Sequence, residues 1–190
     1  LIGSSLLFYA GWELIIVGLL CVLFAFLYTT GPYPLSYNGW GDILVIVFFG
    51  FVPVGGTYYV QALTWTTDTT IASLICGLLI DTLLVVNNYR DREADARSGK
   101  RTVIVRFGEK FGSYLYLMLG MTASLLCFWF LFEGHLYAAL LPLLYLIPHF
   151  LTWKRMVRIH SGKKLNSILG ETSRNMLLMG ILLSIGFFLN

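Results

Sequence analysis

Long apolar runs alternate with short polar segments along this chain. The runs fall at 12–28, 42–61, 69–89, 111–132, 135–153 and 171–189. Each approaches the roughly 20 residues that a helix needs to cross a bilayer core. Residues 1–10 form a shorter apolar stub, which Gly11 breaks. The pattern predicts an all-α, polytopic transmembrane helix bundle: six full spans plus an N-terminal helix stub, one domain over 1–190. Because the chain opens on Leu1 inside an apolar stretch, the stub reads as the tail of a helix and the domain as N-terminally truncated. No basic n-region or small-residue cleavage site marks a signal peptide.

Local chemistry refines the boundaries. Gly31-Pro32-Tyr33-Pro34 and Asn38-Gly39 predict a loop over 29–41. Pro53 and Gly55-Gly56 predict a kink or a close helix approach in the second span. Thr66-Thr67-Asp68 supplies N-caps for the third. That helix should run on past the membrane through Asp95 and end at Ser98-Gly99, with Gly99 in the left-handed cap position. Pro142 and Pro148 should kink the fifth span.

Composition agrees with a membrane protein. The chain is 57% hydrophobic and 12% charged, about half the charge of a soluble domain. Cys21, Cys76 and Cys127 all lie in apolar runs and read as small core residues. The histidines His135, His149 and His160 are widely separated and lack metal-ligand spacing. The net charge of +3 matters less than its placement. No Lys or Arg precedes residue 90, and seven then arrive by residue 110. Basic loops mark the cytoplasmic side, so 90–110 and 154–170 should be cytoplasmic, and 29–41 joins them on counting spans back. Nucleic acid is excluded as a partner, since the bases sit at helix ends among acids.

The segment around residue 90 carries the candidate chemistry. Asn87, Asp91 and Asp95 recur every four residues and share a helix face. Two carboxylates so placed suit Mg²⁺ shared with a phosphate. Arg92, Arg97, Lys100, Arg101 and Arg106 can neutralise phosphate charge. Acids that hold a metal, beside bases that hold an anion, describe a diphosphate site. Asn87 and Asn88 stand at its mouth as ligands or helix–helix hydrogen bonders. Asp81 lies about 15 Å deeper along the helix. It is either a functional acid or packs, hydrogen-bonded, against a neighbour.

The string Asn87-Asn88-Tyr89-Arg90-Asp91, with Asp95 and then Gly99-Lys100-Arg101-Thr102 and Phe107-Gly108, resembles the second aspartate-rich motif of the UbiA superfamily of intramembrane prenyltransferases. Tyr28 to Leu35, Tyr37 to Asp42, Phe48-Phe49-Gly50 and Gly56 to Gln61 are similar to its menaquinone branch, which prenylates 1,4-dihydroxy-2-naphthoate. The resemblance implies a nine-helix fold, of which these spans are helices four to nine. It implies Mg²⁺ as cofactor, a prenyl diphosphate and an aromatic acceptor as substrates, and the bacterial cytoplasmic (inner) membrane as location, with no obligate protein partner. Asp91 and Asp95 are then metal and diphosphate ligands. Asn87, Asn88, Arg92, Lys100 and Arg101 contact substrate, and Tyr33 lies near it in a capping loop. Tyr58, Tyr59 and Trp65 are candidates to shield a carbocation-like prenyl carbon. The first aspartate-rich motif is absent from these 190 residues, so the chain alone should be inactive. The rival readings are a superfamily member with another aromatic acceptor, or a membrane cation transporter using the Asp81–Asp95 face.

Overall fold

The computed structural model describes residues 6–189, so residues 1–5 of the predicted stub lie outside it. The described part of the stub is one helical turn, Leu7–Ala10, ended by Gly11 at φ +85°. Six helical rods follow: α1 (Glu13–Thr29), α2 (Gly41–Ala62), α3 (Thr67–Arg97), α4 (Val103–Phe132), α5 (Leu136–Ile159) and α6 (Lys163–Phe188). Among the described residues there is no strand. The rods α2 to α6 are long and apolar enough to cross a membrane. The first, α1, has 17 residues, a length of about 26 Å at 1.5 Å per residue.

Within these rods the backbone departs from simple helices where the sequence carries special residues. From Ile46 to Gly55, α2 winds as a π-helix, with Pro53 inside it. The expected Pro-Gly feature is thus a wider winding rather than a sharp bend. Proline cannot donate the ordinary helical hydrogen bond, and a widened turn shifts that register. In α5 the expected interruption at Pro142 is a 3₁₀ segment, Leu141–Tyr145. The fourth rod starts earlier than the apolar run: a first turn opens at Val103, capped by Thr102, and breaks at Gly108 with φ +87°. The fifth and sixth rods likewise extend beyond their apolar windows, to Ile159 and from Lys163.

The long helix α3 is the hub. Thr66 caps its start by accepting from the Thr69 amide. Gly99 closes its end at φ +78°, as the sequence predicts. On one side α2 touches it backbone to backbone. A Cβ at Gly77 would stand 2.8 Å from the Ile46 carbonyl oxygen, and one at Gly50 would strike Ser73 and Gly77. Small residues at a crossing are what lets membrane helices approach this closely. On the other side lies α4, and the core between them includes Ile75, Val85, Val86, Tyr89, Ile104 and Tyr116.

The helices α4, α5 and α6 are joined by buried polar contacts. Tyr145 and His149 are hydrogen-bonded at 2.9 Å, and the other ring nitrogen of His149 faces the Leu117 carbonyl at 3.2 Å. Tyr116 pairs with Thr172 at 3.0 Å, and Asn175 donates to Thr152 at 2.9 Å. His149 is therefore structural. Its ring occupies the space that a side chain at Gly120 would need.

Gly77→Ala should force α2 away from α3 and cost about 1–3 kcal/mol, the range for overpacking. Gly18→Ala, whose added Cβ meets nothing within 4 Å, should cost nothing measurable. Thermal unfolding in detergent compares the two.

Candidate functional site

The polar ends of α2 and α3 and the two loops beside them meet at one end of the bundle. The 29–41 loop is held by its own side chains: Ser36 donates to the Tyr28 carbonyl at 2.6 Å, and Asn38 to the Pro34 carbonyl at 2.8 Å. The 98–102 connection docks on it. The Arg101 amide donates to the Tyr37 carbonyl at 2.7 Å, and the Arg106 guanidinium to the Asn38 carbonyl at 2.7 Å. Gly39 permits this close approach. It sits at φ +82°, and a Cβ there would meet the Arg101 carbonyl at 3.0 Å. The two loops expected on one face do share it.

Between them lies a cavity of about 340 Å³. Four predicted site residues line it: Asn87, Asn88, Asp95 and Lys100. Tyr28, Asp42 and Leu84 line it as well. Lys100 lies 3.4 Å from Asp95, and both side chains are mostly buried. The cavity thus offers two carboxylates, an ammonium and two amides within an enclosed space.

Asp91 is beside this cavity rather than in its wall. Arg90 holds it through two contacts, of 2.7 and 2.5 Å. The same guanidinium donates to Asn87 at 2.6 Å and to Asn166 of α6 at 2.9 Å. Arg90 fixes one acid and one amide of the motif and ties both to another helix. Its place in the sequence, three residues after Asn87 and directly before Asp91, puts it within reach of both.

Arg92 points to the opposite side of α3. Its guanidinium lies 3.2 Å from Glu109, donates to the Tyr89 and His160 carbonyls, and covers the Tyr89 ring at 4.8 Å. Glu109 also accepts from Tyr89 at 2.6 Å and pairs with His160 at 2.5 Å. This cluster clamps α3, α4 and the end of α5. It fills the coordination of Arg92 with protein groups, so the structure does not bring Arg92 to the cavity. Arg101 reaches the 29–41 loop through its backbone, and Tyr33 is exposed on that loop outside the cavity wall. Tyr58, Tyr59 and Trp65 lie at the far end of α2, roughly 25 Å along the rod from Asp42. They are removed from the cavity, and the tyrosines that line it are Tyr28 and Tyr37.

A second, apolar groove adjoins the first. It measures about 490 Å³ and runs between α1 and α2, lined by Phe24, Tyr28, Leu44, Val45, Phe48 and others. Tyr28 belongs to both spaces. The tyrosine hydroxyl stands 3.5 Å from the position of a Cβ at Gly41, over the first turn of α2.

Among the described residues no group of three or more His, Cys, Asp or Glu converges as a closed metal cage. The donor set present is two carboxylates with amide oxygens nearby. That set fits a hard cation such as Mg²⁺, which keeps waters and completes its shell with substrate phosphate. It does not fit a structural Zn²⁺ site.

The fold and this site define a multi-helix membrane protein with an acid–base cavity opening beside an apolar groove. Residues 1–187 match the UbiA prenyltransferase family, and the chain belongs to that family. It is similar to the 1,4-dihydroxy-2-naphthoate octaprenyltransferase of Haemophilus influenzae, 34% identical over 98% of this chain and 59% of that protein. The Escherichia coli protein of the same name is 33% identical over 93% of this chain and 58% of its own length. A Mycobacterium tuberculosis protein, again of that name, is 43% identical over 63% of this chain and 40% of its own. The chain spans about three-fifths of the length of the first two relatives. No solved structure matches it.

Arg92→Ala should destabilise the fold by about 1–3 kcal/mol, because it leaves the partly buried Glu109 without its cation. Lys100→Ala should cost less than about 1 kcal/mol, since the 3.4 Å contact is long for a hydrogen bond and water in the cavity can solvate Asp95 once the ammonium is gone. Melting temperatures of the two variants in the same detergent check the order.

Proposed function

We propose that this chain forms part of a polyprenyltransferase that moves a prenyl group from its diphosphate to 1,4-dihydroxy-2-naphthoate. The products are the quinol form of demethylmenaquinone, CO₂ and diphosphate. One observation carries the reading: a polar, lysine-bearing cavity and an apolar groove meet at Tyr28. A prenyl diphosphate has that shape, with a charged head joined to an oily tail. The head would take the cavity of Asn87, Asn88, Asp95 and Lys100, and the tail the groove beyond Tyr28. The bond that breaks would then lie near Tyr28. The naphthoate acceptor comes from the names of the similar proteins.

Asp91 and Asp95 would hold Mg²⁺ jointly with the diphosphate. When bound, the ion would neutralise charge that builds on the departing diphosphate. The protein groups act alongside it. Lys100 offers a point charge to phosphate oxygen. Asn87 and Asn88 orient the head by hydrogen bonds. Arg90 holds Asp91 in place and gives up part of its contact when the carboxylate is taken by a ligand. The Tyr28 ring presents its face or edge to the allylic carbon, where positive charge develops. By the same resemblance, transfer needs a facing aspartate-rich motif, which these 190 residues do not contain. The membrane is proposed to be the bacterial cytoplasmic membrane, with 29–41, 90–110 and 154–170 on the cytoplasmic side.

Asp91→Ala and Asp95→Ala, made in the full-length gene product, should each lower Mg²⁺-dependent prenyl transfer at least about a hundred-fold, with membrane insertion unchanged. Transfer of radiolabelled prenyl diphosphate in isolated membranes measures this. Wild-type-like activity in both variants would falsify the metal–diphosphate assignment.

A further inference from the structure

A second acid pair has one member in the cavity wall, and binding of a diphosphate leaves it unused. Asp42, in the first turn of α2, lines the cavity, and its Oδ1 is buried with no hydrogen-bond partner. Asp81 of α3 is 1% exposed, and its Oδ1 is likewise buried and unpartnered. The two carboxyl groups lie within electrostatic range of each other and of Tyr28. Burying such groups without partners is costly. Buried polar groups are nearly always satisfied, so an orphaned oxygen on a carboxylate that lines a cavity points to a missing donor at that carboxylate.

The position of Asp42 says which donor. The first turn of α2, Gly41 and Asp42, lines the polar cavity, and the next turn, Leu44 and Val45, lines the apolar groove. Asp42 therefore stands at the same junction as Tyr28. With the head in the cavity and the tail in the groove, the reactive allylic carbon falls there. The ring that attacks this carbon must lie against the junction too. Metal and diphosphate need no further acid at that point. A hydroxylated ring brings O–H donors.

We propose that Asp42, backed by Asp81, forms the acceptor subsite: it accepts a hydrogen bond from a ring hydroxyl of the aromatic substrate and holds that proton during transfer. This rests on the prenyltransferase reading above. The ring carbon beside the hydroxyl, which carries the carboxylate, forms a bond to the allylic carbon as the allylic C–O bond breaks and its electron pair leaves with diphosphate. The hydroxyl oxygen becomes a carbonyl and its proton passes to Asp42. Loss of CO₂ then returns an electron pair to the ring, and the same proton returns from Asp42 to oxygen. No net proton is consumed, and no oxidant is needed. Asp42 is the group that touches substrate. Asp81, enclosed behind it, is a positioning residue that holds the second carboxyl of the pair.

Asp42→Asn keeps the size of the side chain and removes the carboxylate. The experiment uses the full-length product in detergent. It measures binding of 1,4-dihydroxy-2-naphthoate and of 2-naphthoate, which lacks both hydroxyls, together with kcat and both KM values. Wild type should bind the dihydroxy ligand at least about ten-fold more tightly, an advantage of ~1.4 kcal/mol. Asp42→Asn should lose most of that preference and drop in kcat, while the KM for prenyl diphosphate stays within about two-fold. Asp81→Asn should lower kcat about ten-fold and leave the acceptor KM nearly unchanged, a split that a loss of fold would not give. Hydroxyl preference and kcat that survive in Asp42→Asn overturn the subsite and leave the prenyltransferase reading standing. Absence of naphthoate transfer in the wild-type protein overturns both.

Discussion

Gly50 and Gly77 let α2 and α3 touch backbone to backbone, and the position of the whole site follows from that contact. The two helices run in opposite directions, so the polar start of α2 is carried to the polar end of α3. Asp42 lies eight residues before Gly50, and Asn88 eleven residues after Gly77. A wider crossing would separate Tyr28 and Asp42 from Leu84, Asn87 and Asn88, and the cavity would open to lipid. The π-helical winding of α2 belongs to the same contact. It spans Ile46–Gly55, the segment that meets Ser73 and Gly77.

The other face of α3 is fastened differently. Toward α4 and α5 the contact is clamped at both ends by polar groups. Asp68 accepts from the Trp129 indole at 2.7 Å at one end, and Glu109 collects Tyr89, Arg92 and His160 at the other. In a bilayer, such bonds fix which helices are neighbours, because lipid tails compete with apolar packing but offer no hydrogen bonds. The His149 and Tyr116 contacts do the same for α5 and α6. One face of α3 is thus a scaffold, and the other is left free for chemistry. Arg90 and Arg92, two residues apart, fall on either side of that divide.

That divide explains how much the sequence could show. The spans were legible because membrane helices must bury or face lipid with long apolar runs. The Gly99 stop and the Thr66 cap were legible because each is local. Asn87, Asn88, Asp95 and Lys100 were legible because four-residue spacing and a short loop already bring them together. Arg92 was misleading for the same reason: its sequence neighbours line the cavity, but it lies on another face of the helix. Its partner Glu109 lies seventeen residues away, beyond a turn that the hydropathy pattern joined to a loop. The early start of α4 at Val103 was hidden because Arg106 and Glu109 make that turn polar. The removal of Tyr58, Tyr59 and Trp65 from the cavity follows from the direction of α2, which aromatic content does not reveal.

Asp42 and Asp81 mark the limit of local reading most clearly. Each is a single acid, thirty-nine residues apart in the chain, and each has an ordinary local explanation. Asp42 opens a helix, where an acid complements the dipole; Asp81 sits in a span, where an acid can pack against a neighbour. Only the glycine crossing makes them a pair. Once paired, each still has one buried oxygen, Oδ1, without a hydrogen-bond partner, which a helix-opening role for Asp42 does not satisfy. The same geometry separates two tasks that a prenyl transfer must perform. Acids at the end of α3 have Lys100 and Arg90 as counter-charges and suit a leaving anion. The acids behind them have no cation among their hydrogen-bond or ion-pair partners and stand beside a tyrosine. They suit a neutral donor. In the proposed transfer, a fold with one pair at the rim and one at the junction would keep the leaving group and the attacking ring on separate sides of the bond that changes hands.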